Sequence, residues 1–180
     1  MIVRNYYFIA LVYGTTLLAL SCGNDKEKVT HKTDIESKEF KEKLVDANKI
    51  YVKKESDEID QYVKHKGWEM ITTGSGLRYM ITQKGKGAVP QTEQTVRLNF
   101  NVKLLDGTLC YSSDSTGVYE FIVDKSSVET GLHEGVKYLH VGDKATFILP
   151  SHLAYGLIGD EKKIPGRASV LYELELLSVK

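Results

Sequence analysis

Leu153-Ala154-Tyr155-Gly156 follows an apolar run that closes at Pro150, and Ile164-Pro165 stands a short loop further on. A tyrosine beside a glycine turn, facing an Ile-Pro loop and backed by an aromatic-bearing strand with Tyr172, makes a wall suited to an apolar, proline-sized group. That is binding chemistry without a covalent step: no Ser-His-Asp or Cys-His arrangement accompanies it. His31, His65, His133, His140 and His152 are scattered without ligand spacing, so no metal and no cofactor are expected. Each residue also has a plainer account. Tyr155 could be a half-buried aromatic with its hydroxyl in water, while Phe100, Tyr172 and Leu132 are of types most often found in cores. Cys110 is expected to pack as a small hydrophobe.

These side chains must be positioned by strands. Val96, Leu98, Phe100 and Val102 alternate with Arg97, Asn99, Asn101 and Lys103, the pattern of a half-buried antiparallel strand over 96–105. Asp106-Gly107 is a strong hairpin signal, so 108–112 should return beside it. Short strands are expected at 68–72, 77–82, 119–123 and 144–149, and a final one at 170–179 with Tyr172, Leu174 and Leu176 on one side. Leu132, Val136 and Leu139 mark one short helix between Thr130 and His140. Several antiparallel strands around one short helix make an α+β domain.

The N-terminal part is built differently. More than half of the residues from Asp25 to Lys66 are charged. Residues 22–34 are expected to be a solvated tether. Beyond it, Phe40, Leu44, Ala47 and Tyr51, then Ile59, Tyr62 and Val63, recur at helical spacing with no proline. The spacing predicts a charged helical segment over 35–67, one helix or two with a break near Glu55-Ser56-Asp57, stopped by a left-handed Gly67. It serves as a charged spacer or as a docking or self-association helix.

Residues 1–21 have the layout of a secretory signal: Arg4, an apolar run from Tyr6 to Leu20, and Ala19-Leu20-Ser21 before Cys22. The run is shorter than the roughly 20 residues of a spanning helix. Small residues ending on a cysteine resemble a bacterial lipobox, which would make Cys22 an acylated N-terminus and membrane anchor. The expected location is the cell envelope, on the periplasmic side of the outer membrane. Cys110 is then the one remaining thiol, and no internal disulfide is available. Lys plus Arg and Asp plus Glu number 24 each in the 180 residues, so no net field draws the chain to nucleic acid.

The order of motifs is more specific than any one of them. Leu105-Asp106-Gly107-Thr108, Ser112-Ser113, Gly131 with Glu134-Gly135, Val141-Gly142-Asp143-Lys144, Leu153-Ala154-Tyr155-Gly156, Ile164-Pro165, Ala168 and Glu173-Leu174-Glu175-Leu176-Leu177 follow one another at compatible spacing. Over 95–180, and more loosely from Gly74, the chain resembles the FK506-binding-protein family of peptidyl-prolyl cis-trans isomerases. With its lipobox and charged helix it is most similar to the isomerase lipoproteins of gliding motility in Bacteroidetes.

The resemblance implies a five- or six-stranded antiparallel sheet curled around one short helix, with an apolar pocket between them. It divides the chain into the signal, the tether, the helical segment, a β lead-in over 68–94 and the isomerase domain over 95–180. Carried over by position, Phe100, Tyr119, Phe121, Val128, Leu132, Tyr155, Ile164 and Tyr172 line the pocket. Tyr155 offers its hydroxyl, and Glu129 its backbone N–H, to bound carbonyls. Four matched positions depart from the pattern: Cys110 where an aromatic is common, Tyr111 for an acidic residue, Glu129 for an aliphatic one, and Leu132 for a tryptophan floor. Tyr111 either covers the pocket or blocks it. The implied function is isomerisation of X-Pro bonds in exported or outer-membrane proteins. The alternatives are a low-activity module that binds proline-containing segments or assembles envelope machinery, and a chaperone.

Overall fold

A computed structural model describes residues 25–180, with side chains from Ser37 onward; Cys22 and the signal segment lie outside the described residues. The chain divides into two compact units, 1–45 and 46–180. A helix, α1, spans Asp25–Lys66. Residues 25–34, expected as a tether, are therefore helical, as their Lys and Glu content favours. The helix also runs unbroken through Glu55-Ser56-Asp57, and Gly67 ends it with φ +63°, its successor's N–H reaching back to the Val63 carbonyl at 3.1 Å.

The second unit is built on one seven-stranded antiparallel sheet: β1 Ile71–Thr72, β2 Arg78–Gln83, β3 Thr95–Leu104, β4 Leu109–Ser112, β5 Tyr119–Ile122, β6 Lys144–Leu149 and β7 Val170–Val179. Spatial order is β1-β2-β6-β7-β3-β4, with β5 also paired to β3. Within the 68–94 segment β2 pairs with β6, Tyr79 opposite Phe147. Of the strand expected at 68–72 only Ile71–Thr72 forms; Trp68 instead packs edge-on against Tyr62, ring centroids 5.8 Å apart. Between β4 and β5 a single helical turn, α2, spans Ser113–Thr116.

The curved face of the sheet holds the main core. Val96 and Leu98 of β3, Phe147 and Leu149 of β6 and Leu174 and Leu176 of β7 meet Leu132, Val136 and Leu139 of the short helix α3, Thr130–Val136, and the turn after it. Glycine permits the close approach: a Cβ on Gly135 would lie 2.3 Å from Phe147 Cε2, and one on Gly131 2.6 Å from Leu149 Cγ. The opposite face carries a second cluster in which Ile59 of α1 covers Ile148 and Leu171. That is why β6 is buried on both faces from Ala145 to Leu149.

Polar side chains fasten residues 55–60 to this face. The Glu55 carboxylate accepts from Ser151 N–H at 2.6 Å, Ser151 Oγ at 3.0 Å and Ser169 Oγ at 2.7 Å. Arg78, 4% exposed, donates to Asp60 at 2.8 Å and to Ser56 Oγ at 2.6 Å.

Candidate functional site

Where β3, β4, β5 and β7 meet the start of α3 and the loop after Leu153, a cavity of about 360 Å³ opens. Phe100, Tyr119 and Tyr172 point into it because each continues the inward-facing series of its strand past the buried aliphatic residues. The Phe100 ring lies 5.5 Å from Tyr119 and 6.4 Å from Tyr172, centroid to centroid, within the range of favourable tilted aromatic pairs. Tyr155 follows a 3-10 turn over Ser151–Leu153, and its orientation is set by Gly156, whose N–H donates to the Ser151 carbonyl at 2.7 Å. Glu129 comes off a loop pinned by His133, which accepts from the Asp124 N–H at 2.9 Å and lies 3.0 Å from the Ser126 carbonyl.

A chain of polar groups crosses the inner wall. Tyr172, 2% exposed, donates to Glu129 Oε1 at 2.8 Å, and the Tyr155 hydroxyl lies 3.4 Å from that of Tyr172. Glu129 Oε2 is buried and has no hydrogen-bond partner. Burial pushes the Tyr155 hydroxyl well above its ordinary value, and the neighbouring Glu129 carboxylate adds to the shift. The same two causes, in the same order, raise Tyr172 and Tyr119. All three phenols are neutral hydrogen-bond donors at physiological pH.

Tyr111 stands on the rim without filling the cavity. Its hydroxyl donates to Asp160, and the Lys163 ammonium sits 5.1 Å from its ring centre. Asp160 Oδ1 in turn accepts the backbone N–H groups of Lys162, Lys163 and Ile164 at 3.0, 2.9 and 2.7 Å. Burial alone would raise the Asp160 carboxyl, but the Tyr111 hydroxyl and these three N–H groups bring it down to about 2. The hydrogen bond to Asp160, followed by burial, pushes the Tyr111 phenol up to about 12.

Six of the residues singled out from sequence line this cavity: Phe100, Tyr111, Tyr119, Glu129, Tyr155 and Tyr172. Phe121, Leu132 and Ile164, expected on its walls, are instead 3%, 0% and 2% exposed in the core beneath, because the helix and loop that carry them close against the sheet there. Val128 faces a neighbouring shallow cleft shared with Tyr119, Glu129 and Tyr155. Sequence reasoning missed Val102, Asp160 and Lys162. Asp160 had a local signal, an Asx turn capturing the N–H groups before Pro165. Cys110 is buried, and burial, ahead of the nearby Asp160 charge, pushes its thiol up; it is an inert packing residue.

Comparison with known proteins places this geometry in context. The family model described as FKBP-type peptidyl-prolyl cis-trans isomerase matches residues 86–177. The chain is 32% identical over 139 residues to the probable FKBP-type peptidyl-prolyl cis-trans isomerase FkpA of Neisseria meningitidis, covering 76% of this chain and 51% of that protein. It is 36% identical over 109 residues to the FKBP-type 22 kDa peptidyl-prolyl cis-trans isomerase of Escherichia coli, covering 60% and 52%. The chain thus spans about half the length of these curated relatives. The crystal structure of FkpA from Escherichia coli superposes with a TM-score of 0.63 at 28% identity, over 90% of this chain and 74% of that one.

Proposed function

Because the chain belongs to the FKBP-type peptidyl-prolyl cis-trans isomerase family, we propose that it interconverts the cis and trans forms of X-Pro bonds in proline-containing protein segments. The observation that carries this is the cage of Phe100, Tyr119, Tyr155 and Tyr172 around a cavity large enough for a pyrrolidine ring and its flanking amides. The resonance-stabilised amide sets a barrier of roughly 18–20 kcal/mol. A planar amide is more polar than a twisted one, so a water-poor aromatic cage favours the twisted state over the planar ground state. The Tyr155 hydroxyl, 3.4 Å from that of Tyr172, would donate to the carbonyl before proline. The backbone N–H of Glu129 makes no backbone hydrogen bond among the described residues and is a second donor. No bond is formed or broken.

The envelope setting belongs to the same proposal. Cys22 would be acylated and hold the protein at the outer membrane, as in a gliding-motility lipoprotein, where it would help exported proteins fold. The 35–67 segment would mediate self-association, for which the exposed Phe40, Leu44 and Ile50 offer apolar surface. Labelled fatty acid incorporated by the wild type but not by Cys22→Ala would support the anchor; equal incorporation would sink it.

Tyr111, tied to Asp160 across the rim, favours a second reading, a module that holds proline segments with little turnover. A protease-free isomerisation assay on short X-Pro peptides separates the two. Acceleration that drops about tenfold in Tyr155→Phe, the loss of one hydrogen bond of about 1.4 kcal/mol in the transition state, supports the enzyme. Tight binding with no acceleration supports the module.

A further inference from the structure

Glu129 gives the cavity a property that aromatic walls alone would lack. Its Oε1 is occupied by the Tyr172 hydroxyl at 2.8 Å. Its Oε2 is the one buried side-chain polar atom without a partner among the described residues. The other carboxylate on the cavity, Asp160, is already saturated by three N–H groups and the Tyr111 hydroxyl. Lys162, the cation on the same cavity, lies on the exposed loop and forms no ion pair with Glu129.

An apolar peptide closing over the cavity would remove what water reaches Glu129 and leave an unpaired carboxylate, which is strongly unfavourable. A peptide that brings a cation neutralises the carboxylate, and a guanidinium, more weakly hydrated than an ammonium, loses less on entering the cavity. A peptide that brings a second carboxylate is repelled. Specificity arises from the difference among these three.

We propose that the Glu129 carboxylate is a specificity-determining group that selects X-Pro segments with a cationic side chain, arginine above lysine, directly beside the proline. This inference rests on the proline-binding pocket proposed above.

The test measures kcat/KM for isomerisation, and calorimetric Kd, for short peptides with Arg, citrulline, Leu or Glu flanking proline on either side. The wild type should prefer the better Arg peptide over its Leu counterpart by about tenfold, and over its citrulline counterpart, which is nearly isosteric and neutral, by a similar factor. In Glu129→Gln, which keeps an acceptor for Tyr172, the Arg preference should fall to within about twofold. Lys162→Ala should increase it. Equal handling of Arg and citrulline by the wild type, or an Arg preference that survives in Glu129→Gln, overturns the proposal. The citrulline comparison needs no variant, so it stands even if Glu129→Gln fails to fold. Absence of turnover with every peptide would overturn isomerase activity alone, and the binding ratios would still decide the role of Glu129.

Discussion

Tyr172→Phe isolates the polar chain on the inner wall. The ring is 2% exposed and is retained, so no cavity forms; only the hydroxyl goes. That hydroxyl donates to the Glu129 carboxylate at 2.8 Å, while Oε2 is already unpartnered. Hydrogen bonds to charged groups contribute about 1.5–3 kcal/mol, and because Glu129 is half-buried and partly reached by water, the lower part of that range applies. The 3.4 Å contact with Tyr155 is longer than a good O–H···O bond and adds little. Tyr172→Phe should therefore destabilise the fold by about 1.5–2 kcal/mol. Glu129→Leu in the same background should recover most of the loss, since removing both partners is close to neutral where removing one is not. Urea unfolding of the wild type, both single variants and the double variant, followed by the fluorescence of Trp68, the chain's one tryptophan, gives the coupling energy directly. A Tyr172→Phe protein within about 0.5 kcal/mol of wild type, or a double variant as unstable as the single, would refute the chain of hydrogen bonds.

Gly135→Ala should cost about 1–3 kcal/mol in the same unfolding experiment, because its Cβ would meet Phe147 Cε2 at 2.3 Å; an unchanged midpoint would mean that α3 does not lie this close to β6. Glu55→Ala leaves the Ser151 N–H and two serine hydroxyls without their acceptor and should destabilise by about 1–3 kcal/mol. Hydrogen exchange over residues 46–66 should rise in this variant, and unaltered protection there would exclude the staple. The Tyr111–Asp160 bond makes a pH prediction. With its folded-state value raised to about 12, Tyr111 contributes stability that is complete below pH 10 and lost as pH climbs through 12. With its value lowered to about 2, Asp160 contributes stability that is complete above about pH 4 and lost as pH falls through 2. Asp160→Asn should return the Tyr111 phenol toward 10 in a phenolate absorbance titration, and an unmoved titration would count against the bond.

What could be read from sequence was what local periodicity and turn chemistry encode. The alternation of β3, the Asp106-Gly107 turn, the left-handed Gly67 and the Ile59-Tyr62-Val63 stripe each depend on neighbours within a few residues, and each is found in the structure. Alternation says which residues face inward but not how far along a curved sheet the core stops and the cavity begins. Val96 and Phe100 share a face of β3, yet Val96 is fully buried and Phe100 lines the cavity. For the same reason Phe121, Leu132 and Ile164 were expected on the wall and lie beneath it. The pairings of Glu129 with Tyr172, Tyr111 with Asp160 and Arg78 with Asp60 join residues distant in the chain, and no local spacing signals them. The four departures from the family pattern divide along the same line. Cys110 and Leu132 are buried, so they alter the volume under the pocket and leave its surface chemistry alone. Tyr111 and Glu129 reach the cavity itself, one bringing a rim hydroxyl tied to Asp160 and the other an uncompensated acceptor. Substitution at Tyr111 or Glu129 is therefore expected to act on a bound segment directly, and substitution at Cys110 or Leu132 through packing.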